Sequence, residues 1–337
     1  MIYTKILKPT DENISCCASL IKSSDIVAMP TETVYGLAAS AYDKNAVAKI
    51  FDAKGRPQDN PLICHISNFD MLLNLTCKMS NLLYRIAERF WPGPLTVIVP
   101  RSDCVLDIVT AGLDTVAIRF PSHIVAQKLI NECGFPLVAP SANLSGTPSP
   151  TTAAHVYDDL KGKIKAILDG GTCKIGVEST IIKVDDNEIK LLRPGAITIK
   201  MLQKVCKNVT ADITIFNKPD ENIKVISPGV KYKHYSPKAN VILVDGSLSQ
   251  FKKYISDKLD NNTFCVVFDE DQAHFKNNVL TYGKDSLSQA HNIFSVLRKV
   301  DDLKANTVFI RCPQKTDIGL AVYNRLLRAS GFNLVKL

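Results

Sequence analysis

From residue 1 to about 208, apolar positions switch repeatedly between a helical and an extended spacing. Ile14, Cys17, Ala18 and Ile21 mark one face of a helix, and Ala46, Val47, Ile50 and Phe51 mark another; each set buries a single stripe. Short apolar runs between such stretches predict strands at 25–29, 61–66, 95–99, 115–120, 136–139 and 165–168. Two further runs, 178–184 and 188–193, flank Asp185-Asp186-Asn187 and predict a hairpin with an Asp/Asn turn. A hairpin requires antiparallel pairing, so the expected unit is a mixed α/β domain and not a purely doubly wound one.

After Asn208 the pattern weakens through Asn217-Lys218-Pro219-Asp220-Glu221-Asn222. It then enters a segment bounded by turn formers, Ser227-Pro228-Gly229 to Ser236-Pro237. A plain linker is Gly/Ser-rich or polar. This one places Lys231, Tyr232, Lys233, His234 and Tyr235 in succession, which suits contact with a ligand or another part of the chain. From Ala239 onward strands are expected at 241–244, 264–268, 279–282 and 307–311. Helices are expected from Ser247, over 286–300 and over 320–329 before Gly331. The organisation read from the pattern is a first domain at 1–208, a linker at 209–238 and a small three-layer α/β domain at 239–337.

Composition narrows the class. The 337 residues are 46% hydrophobic and 22% charged, a soluble globular balance. Apolar runs such as Leu95–Val99 are far shorter than the roughly 20 residues that cross a bilayer. The start, Met1-Ile2-Tyr3-Thr4-Lys5, lacks a signal-peptide pattern, so a cytoplasmic location and no membrane partner are expected. Ten cysteines are scattered, several within apolar runs, and form no Cys-x-x-Cys pair; buried reduced thiols are expected, not a disulfide framework or a zinc site. The net charge of +8 raises nucleic-acid binding, but the basic runs are short and dispersed. They fit small anionic ligands better than RNA sequence readout.

The candidate chemistry lies in the first domain. Pro30 to Leu37, Pro-Thr-Glu-Thr-Val-Tyr-Gly-Leu, follows a strand and offers two threonine hydroxyls, with Gly36 expected at a turn. Lys54-Gly55-Arg56 places a mobile point charge two positions from a planar bidentate donor, a pair suited to polyphosphate. Ser141 and Asn143 follow an apolar strand and add neutral hydrogen-bonding groups at a strand-to-loop edge, where α/β sheets hold ligands. Arg119 interrupts an apolar strand, so it must meet a carboxylate of the protein or of a substrate. Ser179 and Arg193 fall at one end of the hairpin, and His65 ends another strand. Neither a phosphate-loop motif, nor Gly-x-Gly-x-x-Gly, nor a Ser-His-Asp order, nor a metal cluster is recognisable.

These residues carry a resemblance. The blocks PTETVYGL, KGRPQDNPL, WPGPLT, AIRFP, PSANLSG, GVESTI and LLRPG resemble the threonylcarbamoyl-adenylate synthase family over about residues 10–205. The later SPGVKYKHYSP segment and the α/β tail are similar to its long, two-domain form. The resemblance implies a YrdC-like twisted mixed sheet with helices, plus a smaller Rossmann-like three-layer C-terminal domain. It also implies a nucleotidyltransfer that makes threonylcarbamoyl-AMP and pyrophosphate from L-threonine, bicarbonate or carbon dioxide, and ATP. The product would pass to a tRNA threonylcarbamoyl transferase for adenosine modification, with at most weak direct contact to tRNA. By motif, Thr33, His65, Arg119 and Ser179 would surround threonine. Lys54, Arg56, Asn60, Thr115, Ser141, Asn143, Ser149, Arg193 and Tyr235 would hold ATP, with Lys54 and Arg56 serving the reacting phosphates. Tyr232, His234 and Tyr235 would form a lid, and Mg²⁺ would be held mainly by phosphates and water. Two other readings are an RNA-binding YrdC-like module without catalysis and a carbamoyl-adenylate-forming relative. The latter would bring an acylphosphatase-like module and Cys-x-x-Cys zinc fingers, and the sequence has neither.

Overall fold

The structure is a computed structural model that describes residues 2–218 and 235–337. The first unit begins with β1 (Lys5–Leu7), α1 (Asp11–Lys22), β2 (Val27–Met29), β3 (Gly36–Ser40), α2 (Lys44–Lys54), β4 (Ile63–His65), α3 (Phe69–Leu75) and α4 (Asn81–Phe90). It continues through β5 (Leu95–Pro100), α5 (Asp107–Thr110), β6 (Thr115–Arg119), α6 (Ile124–Cys133), β7 (Leu137–Val138) and α7 (Ala153–Leu160). β8 (Ala166–Leu168), β9 (Thr180–Val184), β10 (Ile189–Arg193), α8 (Ile199–Gln203) and β11 (Val209–Ala211) complete it. Among the described residues these strands form one 11-stranded sheet in the order β1-β8-β2-β3-β7-β4-β6-β5-β9-β10-β11. β5 pairs β9 in parallel and β6 antiparallel, and β9 turns back on β10 as the hairpin pattern requires.

Local chemistry sets the elements that matter for the site. Asp43 caps α2 by accepting from the amides of Asn45 and Ala46. Ala46, Val47, Ile50 and Phe51 fill the core, and Gly55 ends the helix at φ 60°. That left-handed cap suits glycine, and it reverses the chain so that Lys54 and Arg56 line the same cavity. Gly36 plays a different part from the turn expected of it. It starts β3, and a Cβ there would lie 3.1 Å from the Cβ of Ala139, so the glycine lets two strands approach closely.

The second unit is β12 (Asn240–Asp245), α9 (Leu248–Ile255), β13 (Thr263–Val267), β14 (Val279–Thr281), α10 (Ser286–Asp302), β15 (Thr307–Arg311), α11 (Asp317–Ala329) and β16 (Leu334–Lys336). Its sheet runs β14-β13-β15-β12-β16, all parallel. Alternation along the strands separates two faces. Val244, Cys265, Val267 and Phe309 pack with Phe251 and Ile255 of α9. Val241, Leu243, Val266, Val308 and Ile310 join the core that contains α10 and α11 and is continuous with that of the first unit. The three-layer expectation holds, with one helical layer doubling as the contact with the first unit.

The first unit extends past the residue 208 expected for it. β11 pairs with β10 and Ile215 is buried, so residues up to that point belong to the large sheet and its core, not to a linker. Among the described residues, no helix is long and apolar enough to cross a membrane.

Candidate active site

A cavity of about 700 Å³, its open mouth included, lies where the ends of β4, β6, β9 and β10 meet the loop after β7. Lys54, Arg56, His65, Arg119, Ser141, Asn143, Ser179, Arg193 and Tyr235 line it, so nine of the sequence candidates converge on one space.

One side is built by the Lys-Gly-Arg turn and the Ser-Ala-Asn loop. The buried Lys54 donates through Nζ to the backbone carbonyls of Ser141 and Asn143, which pins the loop to the end of α2. Burial, and then the neighbouring Arg56, pull its ammonium well below the ordinary lysine range. Arg56 donates to the carbonyls of Asn60 and Pro61 at 3.3 and 3.1 Å. The amide nitrogen of Asn143 bonds to the carbonyls of Leu144 and Thr147, while among the described residues its buried Oδ1 has no hydrogen-bond donor. A buried acceptor of this kind at a cavity wall suits a ligand donor.

The opposite side comes from the hairpin and from β4 and β6. Arg193 donates to the carbonyl and the hydroxyl of Ser179 at 3.1 and 3.2 Å, joining the two hairpin ends. Burial lowers Arg193 to about 10, which leaves it charged at neutral pH. Thr96 shares a 2.7 Å hydrogen bond with Ser179. Arg119 places Nη2 2.8 Å from Oε1 of Glu32, both side chains nearly fully buried. The pair meets by charge, since among the described residues neither atom makes a hydrogen bond of good geometry. Arg119 therefore has a protein carboxylate beside it while still facing the cavity. His65, buried beside Arg119, has its ring pushed down to about 3, burial being the main cause, and is neutral at physiological pH.

Four candidates are not on the cavity wall. Thr33 is fully buried behind it, its hydroxyl 2.9 Å from that of Thr31. Asn60 is buried beneath Arg56 and meets it through its backbone carbonyl. Ser149 is also fully buried and donates to Oε1 of Glu178. Thr115 opens β6 and lines a separate cleft with Lys78 and Lys183. It shares a strand face with Arg119, but at 3.3 Å per residue it lies about 13 Å away along β6. Tyr232 and His234 of the expected lid lie outside the described residues. Tyr235 is described and lines the cavity with φ 65° and its ring 5.3 Å from Phe294.

Sequence reasoning missed Glu178 as a chemical participant. It lines the cavity, accepts from Ser149 and pairs with Arg325 of α11 at 2.8 Å. Burial alone would raise its pKa; the charges of Arg325 and Arg193 and the Ser149 hydrogen bond outweigh that, and the carboxyl is held below its usual range. Among the described residues, no group of three or more His, Cys, Asp or Glu side chains could hold a metal ion.

Comparison with known proteins separates this arrangement from other users of an α/β scaffold. The family described as "Telomere recombination" (Sua5/yciO/yrdC) matches residues 19–195, and "Threonylcarbamoyl-AMP synthase, C-terminal domain" matches residues 197–331. Threonylcarbamoyl-AMP synthase of Pyrococcus abyssi is 41% identical over 333 residues, covering 96% of this chain and 95% of the relative. This chain belongs to the threonylcarbamoyl-AMP synthase family. The Bacillus subtilis synthase is likewise 41% identical, over 99% of this chain and 97% of its own length. The crystal structure of P. abyssi Sua5 complexed with L-threonine superposes with a TM-score of 0.90 at 39% identity, covering 100% of this chain and 99% of that one. The family match thus takes in both units, and the synthase fold includes α10 and α11 packed against the first unit.

Proposed function

We propose that this protein joins L-threonine, bicarbonate or carbon dioxide, and ATP into threonylcarbamoyl-AMP and pyrophosphate, and that the product serves adenosine modification in tRNA. The observation that carries the reading is the convergence of four basic side chains, Lys54, Arg56, Arg119 and Arg193, on one cavity that Ser179 and neutral His65 also line. A relative of 39% identity with the same fold over its whole length is described as a complex with L-threonine, which supports the amino-acid half of the site.

The chemistry makes distinct demands that these residues can meet. The threonine amine must lose its proton to capture carbon dioxide, and a carbamate oxygen must then attack the α-phosphorus as pyrophosphate leaves. Arg119, backed by Glu32, would hold the threonine carboxylate. Ser179, itself held by Thr96 and Arg193, would contact the amino-acid portion. Lys54, Arg56 and Arg193 would neutralise charge on the phosphates, and Asn143 Oδ1 would accept from the nucleotide. Catalysis then rests on positioning and fixed charge, without a covalent enzyme intermediate.

A magnesium ion would add charge neutralisation at the phosphates. The cavity carboxylate Glu178 is engaged by Arg325 and Ser149, and Glu32 faces Arg119. Glu178 has both oxygens engaged and Glu32 is not among the residues lining the cavity, so the ion would be held by phosphate oxygens and water. Tyr235, at the end of the linker and on the cavity wall, would help exclude water from a labile adenylate.

Mass spectrometry of reactions containing isotopically labelled bicarbonate tests the proposal. The label should appear in threonylcarbamoyl-AMP in the presence of threonine and ATP. ATP cleavage without labelled adenylate would overturn it.

A further inference from the structure

Arg325 lies on α11, far from the cavity-lining residues in sequence, and is fully buried. Its guanidinium ends on the backbone of both hairpin ends. Nη1 donates to the carbonyl of Pro194 at 2.8 Å, Nη2 to the carbonyl of Glu178 at 3.3 Å, and Nε to the Glu178 carboxylate at 2.8 Å. Pro194 follows Arg193, and Glu178 precedes Ser179. One rigid planar fork therefore ties the residue beside each of two cavity groups to the other.

The network extends further. The second oxygen of Glu178 accepts from Ser149, in the loop that begins with Ser141 and Asn143. The same unit reaches that loop again from α10, where Arg298 donates to the carbonyl of Pro148 at 2.6 Å and pairs with Asp159. The docking that brings these arginines in is close. Gly176 has φ 86°, and a Cβ there would lie 2.4 Å from the carbonyl oxygen of Ala290 on α10.

A buried ion pair is a weak source of net stability, because desolvation offsets most of the attraction. Bonds that end on the carbonyls flanking Ser179 and Arg193 do, however, fix where those two side chains stand. We propose that Arg325 is a positioning residue for the synthase reaction, supplied by the C-terminal unit, which sets the spacing of Ser179 and Arg193 without touching substrate. The proposal rests on the function proposed above and gives the second unit a part in the chemistry.

The test uses full-length Arg325→Lys, Arg325→Gln and, as an interface control, His291→Ala, which removes one hydrogen bond to the Lys174 carbonyl away from the hairpin. Pyrophosphate release gives kcat and KM for threonine and ATP, calorimetry gives ATP affinity, and thermal unfolding gives the folded fraction. A lysine can keep the charge pair with Glu178 but cannot span to Pro194. Arg325→Lys should therefore stay folded, bind ATP more weakly and lose about a hundredfold in kcat, the effect of a displacement of about 1 Å. Arg325→Gln should lose at least as much, and His291→Ala should keep wild-type kcat. Wild-type kcat and ATP affinity in folded Arg325→Lys would overturn the proposal, as would an equal loss in His291→Ala. If the wild type released no pyrophosphate, the function reading would fail, and unchanged ATP affinity in Arg325→Lys would separately refute the positioning role.

Discussion

Replacing Arg119 by methionine should produce two separable losses. The Arg119 and Glu32 side chains are about 5% and 7% exposed and sit 2.8 Å apart, so removing the cation strands a buried carboxylate. Breaking such a pair costs about 3–5 kcal/mol, equivalent to a drop in Tm of roughly 4–7 °C for 337 residues that unfold together. The second loss is the proposed partner of the threonine carboxylate. A hydrogen bond to a charged group contributes about 1.5–3 kcal/mol, so KM for threonine should rise roughly 10- to 150-fold at a temperature where the variant is folded. The double variant Arg119→Met/Glu32→Gln separates the two. Without the stranded charge, most of the lost Tm should return, whereas threonine KM should stay high. Thermal unfolding and initial rates at varied threonine are sufficient measurements. An unchanged threonine KM in the single variant would refute the assignment. Recovery of KM together with Tm in the double variant would show that Arg119 acts only through folding.

Lys54→Ala should lower kcat/KM for ATP by about a hundredfold or more, the usual effect of losing one preorganised charged donor, as read by pyrophosphate release. His65 titrates near 6.5 when unfolded but only at about 3 when folded, so the unfolded chain takes up a proton that the native state refuses. Its contribution to stability is therefore complete above about 6.5 and declines as pH falls toward 3; denaturant midpoints should fall more steeply from pH 7 to 5 in the wild type than in His65→Gln. Gly176→Val should open the contact with α10, since a Cβ would meet the Ala290 carbonyl oxygen at 2.4 Å and φ is 86°. X-ray scattering should show a larger radius of gyration, and pyrophosphate release should fall.

Where one local rule dominated, the sequence was readable to the residue. The stripe Ile14, Cys17, Ala18 and Ile21 is the set α1 buries, and the Asp-Asp-Asn turn does join two antiparallel strands. β1, β11 and β16 are too short for alternation to register, and β3, Gly-Leu-Ala-Ala-Ser, lacks the branched residues that signal a strand. The cavity was legible in its cations because a Lys-Gly-Arg turn and an arginine inside an apolar strand both call for partners. The identity of those partners was not. Glu32 meets Arg119 and Glu178 meets Arg325 across 87 and 147 positions of sequence, and only the sheet order and the docking of α11 bring them together. Thr33, Asn60 and Ser149 illustrate the converse: a motif places a residue in the right neighbourhood without saying whether it faces the cavity or supports the wall behind it.

The central claim is that one cavity activates carbamoylated threonine with ATP. Its most direct test is the rate of pyrophosphate release from ATP and bicarbonate with and without L-threonine. The account predicts release that depends on threonine, saturates with it and is lost in Lys54→Ala. Release at the same rate without threonine, or none with all three substrates present, would contradict it.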